Sequence, residues 1–163
     1  MLKFSAIQKH FLGSVMLIVI WGGIPFSLAM VNRAWGWPII NSIYSLVVGS
    51  VLFAIGAIVA LWCVTMHLRT GRSTPLAIID HPMNLLAWGP YKYSRNPMYL
   101  AVVINLAGLG LFWGYVLLLV YPFILLLAYH LFVVYIEEPE LRKIFGKAYL
   151  DYCRKTPRWV WKC

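Results

Sequence analysis

Residues Tyr115 to Ile136 read YVLLLVYPFILLLAYHLFVVYI, twenty-two positions without a single charged side chain. At 1.5 Å per residue that run covers about 30 Å, the thickness of a bilayer's hydrocarbon core. It stops at Glu137-Glu138, two adjacent carboxylates. Working outward, three more apolar stretches appear, from about Phe11 to Val31, Ile39 to Met66 and Met98 to Trp113. The first, second and fourth satisfy the span length comfortably, whereas the third is short and should tilt little or end below the far surface.

Composition agrees. Hydrophobic residues make up 62% of the 163 and charged residues 12%, against about 25% charge in an ordinary soluble domain. One domain of this size cannot hide so much apolar surface from water. The expected fold is therefore all-α: a polytopic membrane protein of four transmembrane helices plus an amphipathic C-terminal helix. Lys3 and Lys9 give the first stretch a signal-peptide look, but its apolar core is too long and no small-residue cleavage site follows. A net charge of +9 belongs to residues that flank spans and face anionic lipid headgroups, and no nucleic-acid module is visible. Cys63, Cys153 and Cys163 show neither CxxC spacing nor a nearby His pair, so no metal site or disulfide framework is expected.

Basic residues orient the chain. Arg69, Arg72, Lys92 and Arg95 lie between the second and third spans, and Arg142, Lys143, Lys147, Arg154, Lys155, Arg158 and Lys162 in the tail. Only Arg33 lies between the first two spans, and no Lys or Arg separates the last two. The positive-inside rule places both termini and the central loop, about 67–97, in the cytoplasm.

Within the spans, Gly22, Gly23 and Pro25 should loosen the first helix and Pro122 should bend the fourth. Gly49, Ser50, Gly56 and Ala60 read as a small-residue face for close helix contact, which also permits a homodimer. Gly108 and Gly110 either extend that packing or form a turn. In the tail, Leu141, Ile144, Phe145, Ala148, Tyr149 and Tyr152 recur at helical spacing, predicting a surface helix over about 139–155 with one apolar face.

Candidate chemistry clusters at the cytoplasmic boundary. Glu137 and Glu138 oppose the dipole of the helix they end, so either a cation compensates them or the end is solvated. Arg95, Arg158 or a cationic ligand could compensate. Asn96-Pro97 is a competent helix start, which explains neither Arg95, Tyr99 nor the Gly89-Pro90-Tyr91-Lys92-Tyr93 run before it. The central loop carries Gly71, Pro75, Pro82, Gly89 and Pro90, which forbid a long helix, and enough apolar residues to fold as a cap. Asp80-His81-Pro82 reads first as a turn.

Together these residues form Gly-Pro-Tyr-x-Tyr-x-Arg-Asn-Pro-Met-Tyr, then Glu-Glu-x-x-Leu, then Phe-Gly-x-x-Tyr-x-x-Tyr-x-x-x-x-Pro-Arg. The set, with Thr70-Gly71-Arg72-Ser73-Thr74-Pro75 upstream, resembles the integral-membrane methyltransferases related to isoprenylcysteine carboxyl methyltransferase and phospholipid methyltransferases, over about residues 67 to 160. The resemblance implies S-adenosylmethionine as cofactor, bound by Met83, Asn84, Leu85, Leu86, Tyr91, Asn96, Pro97, Met98, Tyr99 and Glu137. It implies a lipophilic small-molecule acceptor entering from the bilayer; Arg95 and Glu138, the remaining charged residues of the cluster, are the candidate catalytic residues. Two positions depart from the prenylcysteine enzymes: Asn96 stands where they typically carry His, and Val133 where an Arg holds their substrate's carboxylate. A prenylcysteine acceptor is therefore not expected. The rival readings are a sterol-type NADPH-dependent reductase, with Tyr152 as proton donor, and a non-catalytic membrane accessory protein.

Overall fold

The structure, a computed structural model, describes residues 18–40, 42–69 and 85–160, together with Gln8, Phe11 and residues 14–16. Residues 70–84 of the cap loop, Met83 and Asn84 among them, lie outside the described residues. Regular structure among the described residues is helical: α1 (Ile24–Ala34), α2 (Ile43–Arg69), α3 (Pro97–Trp113), α4 (Val116–Phe132), α5 (Glu138–Phe145) and α6 (Lys147–Lys155). Three helical stretches are long and apolar enough to cross a membrane, Ser14–Ala34, Ile43–Arg69 and Val116–Phe145, while Pro97–Trp113 is apolar but shorter.

Two wide π-helical turns interrupt the outer helices, Val19–Gly23 before α1 and Val133–Glu137 between α4 and α5. Each ends two residues before a proline, Pro25 or Pro139. Proline has no N–H to return to the preceding turn and its ring crowds the carbonyl four residues back, so widening that turn relieves the clash. Pro122 inside α4 leaves that helix continuous from Val116 to Phe132.

The helices α2 and α3 pack backbone against backbone. A Cβ on Gly56 would lie 2.7 Å from the Ala101 carbonyl oxygen, and one on Gly49 would lie 2.6 Å from the Phe112 nitrogen. Gly108 faces the Phe53 backbone just as tightly. These glycines let two backbones touch, and that part of the small-residue face is occupied by α3. Ser50 does not join it, because its hydroxyl donates to Leu46 of its own helix at 2.8 Å. Asn105, fully buried on α3, donates Nδ2 to the Phe53 carbonyl at 2.8 Å and fixes the register.

The short turn after α3 is set by Gly114, whose φ of +71° only glycine tolerates easily. Its carbonyl accepts the Ile40 amide at 2.8 Å. On the same side Asn32 donates to the Trp37 carbonyl and accepts the Leu117 amide, both at 3.2 Å, tying α1 to α4. Arg33 hydrogen-bonds the Tyr115 hydroxyl and stacks over that ring. The tail forms two helices instead of the one expected over 139–155. Gly146, at φ +51° and ψ −123°, cannot continue a right-handed helix and separates α5 from α6.

Candidate functional site

The site is assembled around a short 3₁₀ turn, Gly89–Lys92. Gly89 takes φ +59° and sits where a Cβ would press on the Met66 sulfur at 3.0 Å, so the loop lies flat against the end of α2. That contact sinks Tyr91 among Cys63, Met66 and Leu86. Its hydroxyl is 2.7 Å from His67 Nε2, and its backbone carbonyl accepts the Tyr152 hydroxyl at 2.6 Å.

Residues 156–160 then strap across the start of α3. The Arg95 amide donates to the Pro157 carbonyl at 2.9 Å, and both the Ser94 hydroxyl, at 3.1 Å, and Asn96 Nδ2, at 3.0 Å, donate to the Arg158 carbonyl. Asn96 precedes α3 as expected, yet its side chain makes no cap hydrogen bond. Trp159 reaches α4, where its indole donates to His130 Nδ1 at 3.1 Å.

The two carboxylates have different surroundings. Glu138, with 4% of its side chain exposed, meets Arg95 at 3.0 Å, Arg158 at 2.6 and 3.1 Å, and Arg142 at 3.6 Å. The sequence placed this pair at the end of a helix, but the helix runs on through the wide turn to Phe145, so no helix end faces Glu138. Three guanidiniums instead offset its burial, and the bond to Glu138 raises the Arg158 pKa further. Arg95 also donates to Cys153 Sγ at 2.8 Å and lies 3.4 Å from the Tyr149 hydroxyl, while its buried Nε has no hydrogen-bond partner among the described residues. Glu137 instead accepts the Tyr99 hydroxyl at 2.9 Å. Tyr99 is stacked in turn on Tyr129, with centroids 4.5 Å apart. Burial pushes the Tyr149 and Tyr152 phenols above their ordinary range, so both remain protonated donors at neutral pH.

Leu85, Leu86, Tyr91, Arg95, Asn96, Met98, Tyr99, Glu137 and Glu138 all line one cleft between these elements. Pro97 faces a separate apolar groove along α2 and α3, and Met83 and Asn84 are outside the described residues. The cleft also contains side chains that the sequence did not nominate as ligand-binding: His67, Leu141, Phe145, Tyr149 and Tyr152, with Val133 on its wall. The sequence reads the two tyrosines as part of the tail helix's apolar face and of the family motif, and Tyr152 as a proton donor in the reductase reading, without placing either against the cofactor. His67 gave no signal, because the sequence ends the second span at Met66 and starts the central loop at 67; the structure carries the helix on to Arg69.

A family model described as phospholipid methyltransferase matches residues 44–148. The chain belongs to the phospholipid methyltransferase family. Helices apolar enough to cross a bilayer make it a membrane member of this family of methyl-transferring enzymes. The match runs from the first turn of α2 into α6, so it takes in the cleft from His67 to Glu138 and stops before Tyr149, Tyr152 and Arg158. No curated protein and no solved structure matches the chain.

Proposed function

We propose that this phospholipid methyltransferase family member moves a methyl group from S-adenosylmethionine to a lipophilic acceptor that reaches the cleft from the bilayer. The observation that carries the reading is the convergence of Tyr91, Arg95, Asn96, Tyr99 and Glu137, from separate stretches, on one cleft. The donor set fits the cofactor. Glu137 supplies a carboxylate for hydroxyls or positive charge, Tyr91 and Tyr99 supply aromatic faces, and the buried Arg95 Nε supplies a donor for a carboxylate. S-adenosylmethionine, when bound, supplies a methyl group already activated by positive charge on sulfur. The chain's contribution is then to bind, orient and exclude water, which suits a cleft walled by Val133, Leu141 and Phe145. Glu138, held by three arginines, acts as a positioning residue that fixes Arg95 and the strap. No specific observation favours reduction, since the Tyr152 hydroxyl already donates to the Tyr91 carbonyl. In this reading α3 is a fourth, short span and both termini are cytoplasmic, as the basic residues require.

Isothermal titration of the detergent-purified chain against S-adenosylmethionine, S-adenosylhomocysteine and NADPH tests the proposal. Binding of the first two alone is expected, with Glu137→Gln weakening it about tenfold or more, roughly 1.4 kcal/mol. Arg33→Ala, remote from the cleft, is the control. Binding of NADPH alone would transfer the case to a reductase, and no binding at all to an accessory role.

A further inference from the structure

His67 is 4% exposed in the last turn of α2, yet it lines the same cleft as Tyr91, Tyr99 and Glu137. Its ring meets Tyr91 edge-on at 5.7 Å between centroids, and its Nε2 is 2.7 Å from the phenol oxygen. Tyr91 cannot drift, because Tyr152 holds its carbonyl and Cys63, Met66 and Leu86 hold its ring. An imidazole and a phenol locked within one sheltered cleft are the parts of a proton acceptor with a relay.

We infer that His67, through Tyr91, takes up the proton that an N–H or O–H methyl acceptor has to lose. The inference rests on the methyltransferase reading and deepens it by naming the base. In the step, the acceptor's lone pair forms the bond to the methyl carbon, and the carbon–sulfur bond breaks with its electron pair left on sulfur. The acceptor's proton goes to the Tyr91 oxygen while the phenol proton moves to His67 Nε2. One positive charge leaves sulfur and one appears on the imidazole, so charge balances. Among the described residues, the titratable and charged groups around His67 include Tyr91 on the turn, Tyr152 on α6 and Cys63 one turn back on α2, with Arg95, Tyr99, Glu137 and Glu138 on the remaining walls. Arg95, the one guanidinium among the described residues lining the cleft, is ion-paired with Glu138 at 3.0 Å. The remaining buried donor of Arg95, Nε, is the one the cofactor's own carboxylate would use, so an acceptor carboxylate would have to compete for it, whereas a protic acceptor has its partner in the His67–Tyr91 pair.

The first test needs no turnover. Nitrogen-15 NMR of histidine-labelled full-length protein, with His67 assigned by its loss in His67→Gln or by proximity to the Tyr91 ring, should show a neutral imidazole near pH 7. Its Nε2 shift should move in Tyr91→Phe. A doubly protonated His67 at that pH, or one indifferent to Tyr91→Phe, overturns the assignment. The second test uses radiolabelled S-adenosylmethionine, with a long-chain primary amine and a long-chain phenol in phosphatidylcholine vesicles as probe acceptors. His67→Gln should keep donor affinity within about twofold, lose about tenfold or more of kcat, and recover part of it with added imidazole. Unchanged kcat, or a loss that imidazole does not restore, overturns the inference. So does wild-type protein that binds the donor but methylates neither probe, an outcome that leaves the donor-binding reading standing. Failure of wild-type protein to bind the donor removes both.

Discussion

Glu137 and Glu138 are neighbours in sequence with identical chemistry, and their environments divide the work. Glu138 faces three arginines and holds the tail to the start of α3, while Glu137 faces Tyr99 and the cleft. Replacing Glu138 by Gln keeps the shape and removes the charge, leaving Arg95 with 11% of its side chain exposed and no carboxylate beside it. Removing one partner of such a buried cluster costs about 3–5 kcal/mol. Glu138→Gln should therefore lower the thermal midpoint in detergent clearly more than Glu137→Gln does, and equal midpoints would reject the division. The sequence made the pair conspicuous by reading it as a helix end and named Arg95 and Arg158 as candidate partners, both of which meet Glu138. It did not show that the helix continues to Phe145, that Arg142 would join, or that all three would choose Glu138 over Glu137. Asn96 gives the same lesson. Its residue type and position read as a cap, whereas its amide is committed to the Arg158 carbonyl, sixty-two residues away.

Helices were legible because apolar length and the punctuation of Gly and Pro are local properties, and α2, α3 and α4 lie close to where hydrophobicity placed them. The π-helical turn Val133–Glu137 was not legible, since it depends on how the chain resolves the missing amide of Pro139. That turn sets the aim of the carboxylates. One residue of an α-helix corresponds to about 100° of rotation, so tightening the turn to regular helix would swing Glu137 away from Tyr99 or force α5 to rotate. Pro139→Ala restores the amide that permits tightening. It should leave the thermal midpoint unchanged or raised, because proline within a helix is costly, while weakening S-adenosylmethionine binding about tenfold. Calorimetry alongside a melting curve checks both halves, and undiminished affinity would show that the wide turn does not aim the site.

At the scale of the molecule, the cleft closes because the end of the chain returns to its middle. The strap binds mostly backbone atoms: the carbonyls of Pro157 and Arg158 accept from Arg95, Ser94 and Asn96, and Thr156 donates to the Lys92 carbonyl at 3.4 Å. Bonds to carbonyls leave no signature in residue type, so the sequence offered Pro157-Arg158 as a motif and Arg158 as a candidate partner for the carboxylates, but no hint that the backbone here would cover the start of α3. The strap also lies beyond the stretch that the family model matches. Its role can be isolated, because α2, α3 and α4 pack through Gly56, Gly108, Asn105 and Leu118 without it. A chain ending at Lys155 should therefore insert and keep its helical circular dichroism. It would lose the Arg158 contacts to Glu138 and the Trp159 anchor on His130, freeing the Tyr91–Asn96 segment that forms one wall of the cleft. S-adenosylmethionine affinity should fall by more than about tenfold, at least 1.4 kcal/mol, and amides of residues 91–96 should exchange faster with solvent. If the shortened chain binds the donor as tightly as the full one, the wall is held by α2 and the 3₁₀ turn alone, and the strap has no part in the site.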